Sequence, residues 1–276
     1  MGKRTGGARG TKGRLGHGPK DRCLAIFSRS PRAIALAAVL GLAAALGAAP
    51  SAANDQLRQF LISRNCVACD LSGTILAGAN LENANLTNAN LAGANLSRAR
   101  LPGAQMTQSD LRQANLSQAV ISQANLSGAD LAGANLGEAT LTRSRLVEVN
   151  APNVNLKHAE ARNSNWYGSD LSGSQLDGGT FAQASFSATD LTNATLTKGQ
   201  FYRADMIGTR LDGADLTGAD LREALIRDAS LVGADFTDAD LLGANLNRTD
   251  LSTARFCNTR MANGDINNEH CTDQEL

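Results

Sequence analysis

From Leu71 to Met261 an apolar side chain, most often leucine, returns every fifth residue without a slip in register. The centres run Leu71, Leu76, Leu81, Leu86, Leu91 and Leu96 at one end and Leu246, Leu251, Phe256 and Met261 at the other, thirty-nine in all. Two residues before each centre sits a small residue: Ala79, Ala84 and Ala89 early, Ser164, Ser169 and Ser174 in the middle, Ala214, Ala219 and Ala224 later. The three remaining positions are mostly polar, so the unit reads Ala-(Asn/Asp)-Leu-x-x, as in Ala79-Asn80-Leu81-Glu82-Asn83. A helix repeats near 3.6 residues and a strand at 2, so a sustained period of five needs a turn inside every unit. Repetition on this scale predicts a solenoid.

The A-(D/N)-L-x-x pattern resembles that of the pentapeptide-repeat family. The resemblance implies an all-β solenoid, a right-handed quadrilateral β-helix with one pentapeptide per side and four per coil. Centres such as Leu81 then point inward, and small residues such as Ala79 turn in near the corners. The other positions face water. Stacking at the inter-strand spacing makes about ten coils a rod on the order of 45–50 Å long, in which each coil touches only its neighbours.

The flanks divide the chain into four parts. Residues 1–53 carry nine Lys/Arg and one Asp, and the uncharged run Ala33–Asn54 ends in Ser51-Ala52-Ala53. We read 1–53 as a signal peptide with a basic leader, cleaved near Ala53; the alternative is a membrane anchor retained through residues 33–54, which is just long enough to span. In 54–69, Leu57, Phe60 and Leu61 fall at i, i+3 and i+4 behind Asn54 or Asp55, predicting a short amphipathic helix. A solenoid's open end exposes its core and strand edges, so we expect this helix to cap the first coil. The repeats occupy 70–262, and 263–276 form a C-terminal cap or tail. The formal charge of +0 over the whole chain hides a body from Asn54 onward with 17 basic and 25 acidic residues.

Without the leader and its Cys23, four cysteines remain, and an even number in an exported chain points to disulfides. Cys66 and Cys69 sit at one end of the implied rod, Cys257 and Cys271 at the other. Disulfide Cα atoms lie within about 7 Å, so on such a rod only Cys66–Cys69 and Cys257–Cys271 can form. The same distance excludes a four-cysteine zinc site. The C-x-x-C spacing also occurs in redox enzymes, but no βαβ context surrounds it. The tail from Phe256 to Cys271 resembles that of exported cyanobacterial pentapeptide-repeat proteins and their thylakoid-lumen relatives, which implies the periplasm or the thylakoid lumen.

Sorting centres by twenty places Leu141, Ala161, Phe181, Phe201 and Leu221 in one stack and Leu146, Trp166, Phe186, Met206 and Ile226 in the next. Small Ala161 beside bulky Trp166 reads as volume compensation in a densely packed core. The stretch Val147–Tyr167 is the least regular: Val149 and Val154 fill small slots, Ala151 and Ala161 fill centres, and Pro152 follows one. Its outward Lys157, His158 and Tyr167 form the expected recognition patch.

Catalytic chemistry is sparse. His158 is the one histidine within the repeats, too few for a histidine-based triad or a multi-histidine metal site. Stacked carboxylates such as Asp215 with Asp235 and Asp220 with Asp240 are what a polar repeat surface produces, and Arg222 and Arg227 interrupt them, so calcium is not expected. Glycines such as Gly73 and Gly78 are fifth residues of their repeats rather than a phosphate loop. We expect no cofactor and no enzyme. The acidic body disfavours nucleic acid. The expected function is an exported scaffold or protein-interaction module, touching membrane only through an uncleaved leader, with end-to-end contact as a route to homo-oligomers. The alternative comes from the resemblance: some family members are acidic rods that imitate DNA and occupy DNA gyrase, and Asp205–Asp250 holds ten acidic residues and four arginines. Export and paired cysteines argue against that cytoplasmic role.

Overall fold

The structure, a computed structural model, describes residues 52–272. The expected signal segment, its cleavage site and the retained-anchor alternative fall almost wholly outside the described residues, as do residues 273–276.

Each repeat folds as the period requires. The amide of a centre donates across to the next coil, as Leu81 N does to Arg100 O at 2.7 Å. The residue before the centre reaches back, as Arg100 N does to Ala79 O at 2.9 Å. The small-slot amide then closes the corner, as Ala84 N does to Leu81 O at 3.0 Å. The residue inside that corner takes a positive φ, 55° at Asn83, which is the mark of a type II turn. Glycine and asparagine suit this position, yet Arg143 at 59° and Glu148 at 55° occupy it too, because the ladders on both sides hold the backbone there.

Parallel bridges join residue i to i+20, from Asn65↔Asn85 to Asp240↔Arg260. Four pentapeptides therefore make one coil, and every outward position stacks in a column of residues twenty apart. The ladder begins at Asn65, with Cys66 N donating to Asn85 O at 2.7 Å. Cys66 is thus itself a centre, one repeat earlier than the boundary at residue 70 drawn from the leucine pattern.

The centres from Leu71 to Leu241 are buried, Ala151, Ala161 and Trp166 included. The aromatic centres stack along the rod: Phe181 on Phe201 with centroids 5.2 Å apart, Trp166 on Phe186 at 6.2 Å, and Phe236 on Phe256 at 5.5 Å. Gly179 and Gly199 hold the small slots before Phe181 and Phe201, and a Cβ on either would meet the ring Cε2 at 2.5 Å. The alanine of the consensus is replaced by glycine where the phenylalanine needs its volume.

Before the first coil lies helix α1, Ala52–Ser63, with Asp55 in its first turn, where a carboxylate suits the positive end of the helix dipole. Arg64, at φ 55°, ends it with a bond from its amide to Phe60 O at 2.7 Å, a left-handed C-terminal cap. Phe60 is 1% exposed within the core, and Leu57 and Leu61 pack against it. At the other end strand β1, Thr259–Arg260, pairs antiparallel with β2, Ile266–Asn267, so the tail folds back onto the last coil.

The ladder loosens near that end. Gly233 N donates to Thr253 O, twenty residues on, where regular coils use nineteen, as in Gly213 N to Val232 O. Leu246 and Leu251 are only partly buried there.

Candidate functional site

The irregular coil is repaired by the coil after it. Val149 fills a corner slot, and its amide donates not to Leu146 O but to the Ser169 hydroxyl at 3.1 Å. That hydroxyl in turn donates to Leu146 O at 2.7 Å. At Val154 the corner keeps its main-chain bond to the Ala151 carbonyl, lengthened to 3.3 Å, and Ser174 adds to it, accepting the same amide at 3.1 Å and donating to that carbonyl at 3.0 Å. A hydroxyl from the next coil thus closes the Val149 corner, and Thr249 bridges Ala229 N and Ile226 O in the same way.

The three residues expected to form a patch are not brought together. Lys157 and His158 follow the centre Leu156, whereas Tyr167 follows Trp166, half a coil further round. They therefore occupy opposite corners of a four-sided section. Lys157 Nζ lies 3.5 Å from Asp177 Oδ2. Asp177 also accepts from the Thr195 and Thr197 hydroxyls at 2.9 and 2.7 Å. Burial works to raise its pKa, but the Thr197 and Thr195 hydroxyls and Lys157 outweigh it and hold the carboxyl below its ordinary value. His158 lies over Gly178, where a Cβ would meet its Nδ1 at 2.6 Å. Tyr167 is 49% exposed on its own corner.

A second cluster escaped sequence reasoning. Tyr202, Arg222, Leu242 and Ala262 share one outward column and line a surface depression together with Glu223 and Gly243. The Tyr202 hydroxyl donates to Glu223 Oε1 at 3.1 Å, and Arg203 Nε donates to Oε2 at 2.7 Å. These two bonds, Arg203 first, lower the Glu223 pKa. The Arg203 guanidinium also sits 4.9 Å from the Tyr202 ring centre, within cation–π range. Reading the outward positions at a step of twenty, as was done for the centres, would have found this column.

Elsewhere the polar columns are occupied with themselves. Asp110, Asp130, Asp170 and Asp190 lie in one column, and one carboxylate oxygen of each accepts the amide two residues on. Asparagines bridge coils: Asn90 to Asp70 at 3.0 Å and Asn155 to Asn135 at 2.9 Å. Asp215 and Asp235 are stacked neighbours, as are Asp220 and Asp240. Arg222 pairs with Asp220 at 2.7 Å and Arg255 with Asp235 at 3.5 Å. Among the described residues no group of His, Cys, Asp and Glu has the arrangement of a metal site. The structure pairs Cys66 with Cys69 (Cα–Cα 5.4 Å) and Cys257 with Cys271 (Cα–Cα 4.7 Å). No described helix is long and apolar enough to cross a membrane.

The fold and the outward ladders define a repeat protein of stacked four-sided coils. The family model for pentapeptide repeats matches in eight copies between residues 65 and 258, and the chain belongs to the pentapeptide-repeat family, whose fold is a right-handed β-helix. Among solved structures it is similar to HetL, a pentapeptide repeat protein involved in heterocyst differentiation regulation from the cyanobacterium Nostoc sp. strain PCC 7120. That match has 28% identity, covers 76% of this chain and 97% of HetL, and has a TM-score of 0.49. A pentapeptide repeat protein of the Arabidopsis thaliana thylakoid lumen is 25% identical over 41% of this chain and 68% of its own, at a TM-score of 0.20. QnrB1, a plasmid-mediated fluoroquinolone resistance protein, is 16% identical over 72% of this chain and 90% of its own, at 0.41. No curated protein matches.

Proposed function

We propose that the chain is an exported, non-catalytic scaffold whose rigid faces recognise a protein partner in the periplasm or thylakoid lumen, with α1 capping the first coil. The observation that carries this reading is the engagement of its polar groups. Asp177, Asp220 and Glu223 are each tied to a neighbouring side chain, and the buried hydroxyls of Ser164, Thr189 and Thr209 donate to main-chain carbonyls. Such a surface offers fixed spacing and shape, not a poised nucleophile or base. Cysteine pairs at both ends support the oxidising compartment.

The acidic-rod alternative, docking on DNA gyrase, has weaker support. Many carboxylates of Asp205–Asp250 carry an arginine: Asp228 has Arg248 at 2.6 Å, Glu223 has Arg203 at 2.7 Å, and Asp240 has Arg260 at 3.7 Å. The field such a mimic needs is damped.

The test is photo-crosslinking in the native host, with a benzophenone side chain placed at Tyr202 in one strain and at Tyr167 in another. We expect a reproducible adduct from one face only, and mature protein in the periplasmic or lumenal fraction with its thiols protected until reduction. Cytoplasmic, uncleaved protein with free thiols would overturn export. Equal, non-saturable labelling from both faces would overturn specific recognition.

A further inference from the structure

The C-terminal end of the rod is guarded by its own tail. A regular centre donates its amide to the following coil, as Phe236 N does to Arg255 O at 2.9 Å. Phe256 and Met261 lie in the last coil, and the tail supplies what the missing coil would. His270 Nδ1 accepts from Phe256 N at 3.3 Å, and His270 N donates to Phe256 O at 3.0 Å. Asn268 Oδ1 accepts from Asn258 N at 2.8 Å, and Asp265 O accepts from Met261 N at 2.7 Å. Strand β2 completes the edge beside β1, with Thr259 opposite Asn267. The Cys257–Cys271 bond ties the strap down. On the other two sides of this coil the amides of Leu246, Arg248 and Leu251 have no partner among the described residues, and Leu246, Leu251 and Met261 are only partly buried.

We propose that Cys257–Cys271 is a redox latch, and that its reduction turns this end of the rod into a pairing surface for a second copy of the chain. A dithiol reductant attacks the disulfide, its two thiols ending as its own disulfide while Cys257 and Cys271 each leave as a thiol. The strap then rests on a few short hydrogen bonds at an exposed end, and such elements open readily. An uncovered sheet edge recruits another strand.

The geometry selects the partner. This edge already accepts an antiparallel strand, β2. A second copy approaching about a two-fold axis offers the same edge running antiparallel, and one patch serves both subunits. Head-to-tail growth is opposed at the other end, where Phe60 of α1 is buried against the first coil.

The test compares the oxidised full chain with a full-chain Cys257→Ala/Cys271→Ala variant, which leaves Cys66–Cys69 intact and allows no crosslink through Cys257. Sedimentation gives the mass, and hydrogen exchange follows the amide of His270, which belongs to the strap and not to the edge that a second copy would cover. The oxidised protein is expected to be monomeric with this amide protected. The variant is expected to lose tail protection by at least about tenfold, a scale set by local opening, and to double its mass. A variant that keeps the protection, or loses it yet stays monomeric, overturns the proposal. Should the variant misfold, as circular dichroism would show, the closer-sized Cys257→Ser/Cys271→Ser variant supplies the same two readouts, and the same outcomes decide.

Discussion

The indole Nε1 of Trp166 donates to the hydroxyl of Ser164 at 2.8 Å, and that hydroxyl donates to the Ala161 carbonyl at 2.6 Å. Both side chains are buried. The widest side chain of the core can therefore be tolerated because the small slot two residues before it holds serine rather than the consensus alanine. Ser164→Ala leaves the indole N–H with no acceptor in an apolar interior, which costs about 1–3 kcal/mol. Denaturant unfolding followed by Trp166 fluorescence should show that loss. A stability unchanged within error would mean that the indole finds another acceptor.

The pairing of Gly179 with Phe181 makes a second, sharper expectation. An alanine Cβ at 179 would stand 2.5 Å from Phe181 Cε2 and 3.1 Å from the Leu176 carbonyl. Overpacking of this kind costs about 1–3 kcal/mol. Gly179→Ala should thus destabilise although alanine is the family's usual residue there, and Phe181→Leu added to it should return part of the loss. A double-mutant cycle with no coupling between the two sites would refute the volume trade.

Much of this could be read in advance, and the reason is the spacing itself. A period of five commits each residue to a centre, a slot or an outward position, so Leu81, Ala84 and Trp166 declared their burial in the sequence. That Gly179 and Gly199 stand where alanine is usual gains its meaning only from the structure, where a Cβ would strike the phenylalanine ring two residues on. What stayed hidden depends on the step of twenty. Lys157 and Tyr167 look adjacent along an irregular stretch, yet ten residues carry the chain half-way round a coil and put them on opposite corners. Tyr202 and Glu223 look unrelated and meet. Nor does the pattern signal how Val149 is housed, because the remedy lies in Ser169, one coil on, where serine reads as an ordinary small residue.

The carboxyl of Asp177 fixes a direction for pH. Its folded pKa lies below the ordinary value because the Thr197 and Thr195 hydroxyls and Lys157 outweigh burial. The unfolded chain therefore takes up its proton first as pH falls. The stabilisation is complete above the ordinary carboxylate range and is lost as pH drops through it towards the folded pKa. Asp110 and Asp220, held low chiefly by the side chains of Arg112 and Arg222, act in the same sense. Stability should be flat from neutrality to about pH 5 and fall below about pH 4. Asp177→Asn should lower the plateau and make the fall shallower, the two curves converging in acid. Parallel curves would show that Asp177 carries no linkage.

The first coil offers the most direct test of how the rod is ended. No coil precedes it among the described residues, and Phe60 is buried in the core at 1% exposure, with Leu57 and Leu61 packed against that core. Phe60→Ala removes a buried ring, for which core truncations cost about 3–5 kcal/mol. In a solenoid that loss falls on the nearest coils instead of spreading evenly. Hydrogen exchange should therefore quicken at Leu71, Leu76 and Leu81, whose amides bond to the second coil, while Phe181 and Leu221 keep their protection. The exposed edge should also raise the tendency to aggregate. Uniform loosening along the whole rod would instead show that the helix and all the coils unfold as one cooperative unit, and that Phe60 stabilises the molecule without acting as a local cap.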